Sequence, residues 1–246
     1  MCGRYVQISS IEVLEQRFQA EMENPGTWTP TANAAPGDWL PVVADDKPQS
    51  IVFQRFGLCP AGSKAGTLYL NARSETVLDK PSFRTSVRRK RCIVPADAFY
   101  EGSENEKLSK PYLVYLVNKE RPFAFAGIWD EWHDPVSQQS IRSFALLTTA
   151  PNRVMQAIGH PRCPVVLHPE EEALWLSPHT PLPDVMALLR PCEDHRMNAY
   201  PVSPALKNPR NKSLELVQPL GERLFEESTY LTKPGIALKG MGRRNA

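Results

Sequence analysis

The stretch Cys92-Ile93-Val94-Pro95-Ala96-Asp97-Ala98-Phe99-Tyr100 carries the clearest fold signal in the chain. Its apolar and aromatic residues predict a strand that ends at Glu101. The polar turn 102–110 follows, and the strand-like run 111–117 comes after it. Short strands separated by polar turns are typical of antiparallel sheet.

Outward from this stretch, the chain alternates short apolar runs with turns and a few amphipathic segments. Its 24 prolines are about twice the usual share of roughly 5% and disfavour a helical bundle. The patterns predict an α+β protein, a single domain of mainly antiparallel, curved sheets with a few peripheral helices. That domain spans 1–231, and a flexible basic tail covers 232–246. Strands are expected at 39–43, 50–58, 122–129, 141–149, 163–167, 199–203 and 214–219, and helices at 9–22, 152–158, 169–176 and 183–189.

Composition excludes several classes of protein. The 246 residues carry a net charge of only +2, so a histone-type nucleic-acid binder is excluded. No apolar run is long enough to span a bilayer and no signal peptide is visible, which favours a cytoplasmic protein without a membrane partner. We expect a monomer, although no sequence feature indicates the oligomeric state. The five scattered cysteines are expected to be free thiols. The histidines and cysteines never fall at zinc-site spacing, so we expect neither a metal nor another cofactor.

One segment stands out for its charge. Residues 84–91 hold five basic side chains, among them Arg88 and Arg89. Such a run predicts a local anion-binding surface, or else a solvated charged turn. The sequence leaves both interpretations open.

Cys2 offers distinctive chemistry. Removal of Met1 would leave a cysteine whose α-amine and thiol lie on adjacent carbons. With pKa values near 7.7–8.0 and 8.5, both groups are partly nucleophilic at neutral pH. An aldehyde meets the amine to give a Schiff base, and the thiol then closes a five-membered thiazolidine ring. The alternative is that Cys2 is merely a small residue after the initiator.

Several sequence blocks occur together in an ordered series from residue 2 to about 220. Together they resemble the SRAP family of SOS response-associated peptidases and abasic-site processing proteins. The blocks are Cys2-Gly3-Arg4-Tyr5, Asn33-Ala34-Ala35-Pro36-Gly37, Phe56-Gly57-Leu58-Cys59-Pro60, Asn71-Ala72-Arg73-Ser74-Glu75-Thr76, Arg91–Glu101, Leu147-Thr148-Thr149-Ala150-Pro151-Asn152, His160–Leu167, Tyr200-Pro201-Val202-Ser203 and Asn208-Pro209-Arg210-Asn211.

The resemblance implies a covalent sensor of abasic sites in single-stranded DNA, nucleoid-associated when bound. It also implies lyase and autoproteolytic activity. By motif position, Cys2 forms the crosslink, Asn71 orients the opened sugar, Glu101 is the acid–base residue beside the α-amine, and His160 serves the sugar's hydroxyl or the reversal step. The DNA-binding arginines are expected to be Arg4, Arg73 and Arg162, joined by Arg88 and Arg89 of the basic run.

The chain departs from the family pattern at two points. Gly102 follows Glu101 where the family commonly has tryptophan, and Phe56 precedes Gly57 where tryptophan is usual. Two other functions remain open on the residues alone. One is a thiol peptidase with Cys2 as nucleophile, and the other is a binding module for single-stranded nucleic acid that performs no chemistry.

Overall fold

The computed structural model describes residues 3–134, 136 and 138–227. Cys2 and the predicted tail 232–246 therefore lie outside the described residues. The helices are α1 (Ile11–Phe18), α2 (Arg84–Arg89), α3 (Arg153–Ile158), α4 (Pro169–Leu176) and α5 (Leu182–Ala187). The strands are β1 (Tyr5–Gln7), β2 (Glu21–Met22), β3 (Thr31–Ala34), β4 (Trp39–Ala44), β5 (Ser50–Phe56), β6 (Asn71–Arg73), β7 (Arg91–Ala96), β8 (Ala98–Glu101), β9 (Tyr112–Leu116), β10 (Phe123–His133), β11 (Ser140–Thr149), β12 (Cys163–Pro164), β13 (Val166–Leu167) and β14 (Met197–Pro201).

Two sheets organise these strands. The five-stranded sheet has the order β14-β9-β8-β1-β3, and all its pairings are antiparallel. The nine-stranded sheet runs β12-β11-β10-β7-β4-β5-β2, with β6 beside β11 and β13 beside β10. Its parallel pairings join β11 to β5, β11 to β6 and β2 to β5. The prediction of a single α+β domain with mainly antiparallel sheets is confirmed.

The segment 92–101 links the two sheets. The predicted single strand 92–100 is wrong at Asp97, where β7 of the larger sheet ends and β8 of the smaller sheet begins. The Asp97 carboxylate accepts hydrogen bonds from the backbone N–H groups of Ile8 and Ser9, at 2.6 and 2.9 Å. A buried carboxylate needs such donors, and meeting them turns the chain out of the first sheet.

The strand β1 is an inner strand of the smaller sheet, paired with β8 on one side and with the edge strand β3 on the other. Its Tyr5 ring is fully buried and makes edge contacts with Phe56 and Phe125, at centroid distances of 5.6 and 6.1 Å. Aromatic residues from both sheets therefore share one core. This core fixes the start of the described chain against the rest of the molecule.

Three local expectations needed correction. The predicted helix 9–22 is limited to α1, because Ser10 caps its start and Gln19 ends it in the left-handed conformation. The predicted strand at 214–219 is a 3₁₀ turn, Leu214–Val217, capped by Ser213. The basic run is neither a turn nor a loop, since most of it forms α2, whose Val87 is buried.

None of the helices in the described residues is long and apolar enough to cross a membrane.

Candidate active site

A cleft of about 870 Å³ opens where the two sheets approach each other. The smaller sheet contributes the end of β8 and the residues before β1. The larger sheet contributes β6, and the segment between α3 and β12 completes the wall. The lining residues that matter for its chemistry are Gly3, Arg4, Arg73, Glu101, His160, Arg162 and Lys207.

Glu101 is the last residue of β8 and is almost completely buried, with 4% exposure. The backbone N–H of Tyr100 donates to the Arg4 carbonyl at 3.0 Å, so the residues before β1 run beside the end of β8. Burial raises the pKa of the Glu101 carboxyl from 4.5 to about 8. At neutral pH this carboxyl is therefore mostly protonated and can act as an acid.

His160 follows Gly159, which ends α3 in the left-handed conformation. Its Nδ1 lies 2.8 Å from the Arg162 carbonyl, which can only accept, so this nitrogen carries the proton. The Arg162 backbone N–H is farther from the same nitrogen, at 3.3 Å. Burial lowers the pKa of His160, which keeps the ring neutral at neutral pH. Its Nε2 then presents a lone pair.

That lone pair faces the carboxyl of Glu101. His160 Nε2 and Glu101 Oε2 are 3.4 Å apart, and both side chains are 5% exposed. A protonated carboxyl beside a neutral imidazole is the arrangement favoured by the opposite directions of their pKa shifts. The pair can hold one proton at the cleft surface and give it to a bound oxygen.

A second wall of the cleft is basic. Arg4 is half-buried, and one of its guanidinium nitrogens, Nη1, is buried without a hydrogen-bond partner in the described part of the chain. Burial lowers the pKa of Arg4. Arg73 ends β6 and is exposed. Its register partner is Thr148 of β11, whose carbonyl also accepts from Arg162 Nη2 at 2.7 Å. The end of β11 thus brings two of the predicted arginines together.

Arg162 is already engaged by a carboxylate. Its guanidinium makes two hydrogen bonds to Glu75, at 2.6 and 2.8 Å, and lowers the pKa of that carboxyl. Such a bidentate pair has the geometry that a phosphate also matches. An incoming anion has to replace Glu75, which is exposed and can move away.

The other predicted site residues fall in different places. Asn71 begins β6, half-buried, on the strand that carries Arg73. It does not belong to the described lining of the cleft, although its neighbour Leu70 does. Arg88 and Arg89 lie on α2 and border a separate pocket of about 250 Å³. The structure therefore does not join them to the cleft.

The loop 103–109 also forms a wall of the cleft, which the sequence did not predict. It is tied to α3 by the Glu104 N–H, which donates to the Gly159 carbonyl at 3.0 Å. On the other side, Lys207 Nζ donates to Ser109 Oγ at 2.9 Å. The sequence could have indicated Lys207, because this basic residue lies between the blocks 200–203 and 208–211.

The departure at Gly102 has a steric cause. A Cβ at this position would lie 1.7 Å from the Lys107 carbonyl oxygen. The loop therefore folds directly onto the glycine, and no larger residue fits after Glu101. At the second departure, Phe56 is fully buried and stacked on Phe144 at 5.2 Å, so it belongs to the core rather than to the cleft surface.

The four described cysteines are buried, and burial raises the pKa of each thiol: Cys59, Cys92, Cys163 and Cys192. None of them is therefore an activated nucleophile. Among the residues that the structure describes, no group of three or more His, Cys, Asp or Glu side chains is placed to hold a metal ion.

Comparison with known proteins gives a consistent result. The family model "SOS response associated peptidase (SRAP)" matches residues 1–209. The abasic site processing protein YoqW of Bacillus subtilis (strain 168) is 35% identical over 224 residues, which cover 89% of this chain and 99% of YoqW. The abasic site processing protein HMCES of Gallus gallus is 28% identical over 240 residues, covering 83% of this chain and 70% of HMCES.

A solved structure of a protein from Bacteroides thetaiotaomicron superimposes with a TM-score of 0.79 at 25% identity, covering 89% of this chain and 99% of that one. A second, from Bordetella bronchiseptica, has a TM-score of 0.70 and shares the fold. The family match over most of the chain and the close relative agree with the motif order. The chain belongs to the SRAP family.

Proposed function

We propose that this protein recognises abasic sites in single-stranded DNA and links itself to them covalently through Cys2, once Met1 is removed. Relatives named as abasic site processing proteins support the substrate class. The observation that carries the proposal is the position of Gly3, which lines the cleft together with Glu101 and His160. Cys2 is joined to Gly3 by a single peptide bond, and consecutive Cα atoms are about 3.8 Å apart.

The chemistry follows from the two nucleophiles of an amino-terminal cysteine. The α-amine adds to the aldehyde carbon of the ring-opened sugar, and a carbinolamine forms as the carbonyl oxygen takes up a proton. Loss of that oxygen as water gives an imine. The thiol then adds across the C=N bond, its sulfur joining the carbon and its proton going to nitrogen. The product is a thiazolidine, and one water leaves in total.

Glu101 is suited to the step that expels water. The leaving hydroxyl needs a proton, and a carboxyl with a pKa of about 8 keeps one at neutral pH. His160 lies 3.4 Å from that carboxyl and offers a neutral nitrogen, which can take a proton from a sugar hydroxyl or return it. We assign formation of the adduct mainly to Glu101, and ring opening and release mainly to His160.

The basic wall is suited to holding the strand. Arg4 has a buried nitrogen without a described partner, and Arg73 is exposed at the end of β6. Arg162 joins them when a phosphate replaces Glu75, because the bidentate geometry is the same. The imine also permits cleavage of the sugar–phosphate bond by elimination, so lyase activity is part of the proposal.

Covalent capture is tested with a synthetic oligonucleotide that contains one abasic site. The protein is incubated with it, denatured by heat, and examined for a shifted band. We expect an adduct with the natural chain and with Cys59→Ala, a matched change of a buried cysteine. Cys2→Ala keeps an α-amine but no thiol, so it is expected to give no heat-stable adduct, while borohydride still traps some imine.

A normal heat-stable adduct from Cys2→Ala would overturn the mechanism. Absence of an adduct from the natural chain, with Met1 shown by intact mass to be removed, would overturn the covalent proposal. Cleavage of a peptide by that same preparation would then favour the thiol peptidase with Cys2 as nucleophile.

A further inference from the structure

An exposed patch lies just outside the cleft, at the corner where β5 ends. It consists of Trp39, Arg55 and Leu68, and we call it the corner patch. Trp39 is 54% exposed and Leu68 is 39% exposed. Trp39 and Arg55 are register partners on β4 and β5, so their side chains lie side by side on one face of the sheet. The catalytic chemistry proposed above does not use these residues.

One connection between the corner patch and the cleft runs through the turn before β4. The Asp38 N–H donates to the Ala35 carbonyl at 3.0 Å, which closes a turn around Pro36 and Gly37. Pro36 lines the cleft. Trp39 is three residues farther along, so its Cα lies within about 11 Å of that of Pro36. A distance of this size corresponds to a few nucleotides of single-stranded DNA at most.

A second connection runs through Gly57. A Cβ built on this glycine would lie 3.3 Å from Leu68 Cδ2 and 3.5 Å from Leu70 Cδ2. Leu70 lines the cleft, whereas Leu68 is exposed. Gly57 therefore has an apolar side chain of the cleft and an exposed apolar side chain of the corner patch packed against it.

The chemistry of the corner patch fits one occupant. Arg55 is half-buried, and within the described part of the chain its guanidinium has no hydrogen-bond or ion-pair partner. An indole face beside a spare guanidinium matches an unstacked base beside a phosphate. The geometry points to the single-stranded DNA that flanks the abasic nucleotide: one base stacks on Trp39 and an adjacent phosphate pairs with Arg55. This inference rests on the proposed function for its substrate class.

The inference also accounts for a departure noted in the sequence. Phe56 is a core residue, so the aromatic residue before Gly57 presents no ring to DNA. Trp39 lies across the strand pair from that same corner, since the Phe56 N–H donates to the Asp38 carbonyl at 2.9 Å. The exposed indole thus supplies a stacking surface next to the place where the family pattern has tryptophan.

Binding of an intact, all-thymidine single strand tests the inference without any crosslinking, because the strand has no aldehyde. Fluorescence anisotropy of a labelled 15-mer gives the Kd. Trp39→Ala is expected to raise the Kd between about fivefold and about a hundredfold, because this is the loss of affinity that removing one base–aromatic stacking contact causes. Trp39→Phe keeps a ring and is expected to retain most of the affinity. Leu174→Ala, which truncates an exposed apolar side chain on α4, serves as the matched control.

Two further readouts separate stacking from a general disturbance. Trp39 is the most exposed of the five tryptophans, so quenching of intrinsic fluorescence by the bound strand is expected to be largely lost in Trp39→Phe. Arg55→Ala is expected to lower the slope of log K against log salt by about 0.7.

A Kd for Trp39→Ala within twofold of the natural chain would overturn the inference, as would an equal loss in Trp39→Phe and Trp39→Ala. A loss of the same size in Leu174→Ala would do so too. The outcome is separable from the covalent proposal: a protein that forms no adduct, yet whose affinity for intact strand depends on Trp39, contradicts the crosslink and supports the corner patch.

Discussion

The substitution Glu101→Gln tests two properties of this carboxyl separately. One is its effect on the free energy of unfolding, and the other is its role in adduct formation. The pKa is about 8 in the folded protein against 4.5 for the ordinary group. Between these values the unfolded chain has released a proton that the folded chain still holds, so the free energy of unfolding falls as pH rises. The slope between the two pKa values is about 1.4 kcal/mol per pH unit, so the loss of unfolding free energy reaches about 4 kcal/mol by pH 8.

Glutamine has no such proton, and its amide can still donate to the His160 nitrogen. We therefore expect Glu101→Gln to become progressively more stable than the natural chain between pH 4.5 and 8, by roughly 2–3 kcal/mol from pH 5.5 to pH 7.5. The contribution of the natural carboxyl is fully present below its unfolded pKa and is lost as pH rises through its folded pKa.

The same substitution is expected to slow adduct formation about a hundredfold, the lower end of the effect of a general acid, because the aldehyde and Cys2 are intrinsically reactive. Its pH profile should also change. The α-amine must lose a proton to attack, so the rate rises towards pH 8, whereas Glu101 must keep its proton, so the rate falls above pH 8. Glu101→Gln is expected to lack the alkaline fall.

Urea unfolding at pH 5.5 and 7.5 measures the stability difference, and single-turnover crosslinking from pH 6 to 9.5 measures the rate. Glu222→Gln, which changes an exposed carboxyl outside the cleft, is the control and should show neither effect. If the difference between Glu101→Gln and the natural chain is the same at both pH values, the carboxyl is not the buried, proton-holding group described here.

Four further variants test separate parts of the molecule. His160→Ala is expected to change the rate of adduct release in a competitor chase more than the final yield; a change confined to formation would reverse the roles of the pair. Arg73→Ala should lower the salt slope of single-strand binding by about 0.7. Arg88→Ala with Arg89→Ala should leave that slope unchanged if their pocket is separate from the DNA path, and a drop would place α2 on it. Gly102→Ala is expected to destabilise the fold by about 1–3 kcal/mol in thermal or urea unfolding, because the added carbon overlaps a backbone carbonyl; an unchanged midpoint would mean that the loop moves freely.

The sequence predicted the chemical groups of the site better than their contacts. Motif order singled out Glu101 and His160, but they are 59 positions apart in the chain, and their approach to 3.4 Å depends on how α3 meets the smaller sheet. The raised pKa of Glu101 comes from its burial. That burial depends on the tertiary packing and cannot be predicted from the neighbouring residues in the sequence. The ion pair between Arg162 and Glu75, 87 positions apart in the chain, could not be predicted from the sequence for the same reason.

Strands were predicted correctly where side chains alternate or form apolar runs, as in β4, β9 and β11. The predictions were wrong where a single polar residue determines the direction of the chain. Asp97 interrupts an apolar run, and its need for hydrogen-bond donors divides one predicted strand between two sheets. At 214–219 the apolar residues suggested a strand, but the Ser213 side chain accepts from Glu215 N–H and starts a 3₁₀ turn instead.

The position of β1 inside the smaller sheet has a practical consequence for handling this protein. Chain ends ordinarily fray, but here the described chain enters a central strand within two residues, with partners on both sides. Because Gly3 lines the cleft, any affinity tag or fusion partner joined ahead of it would start inside the volume that a ligand needs. Purification handles therefore belong at the carboxyl end, and an amino-terminal tag that is cut off must leave no scar residue behind.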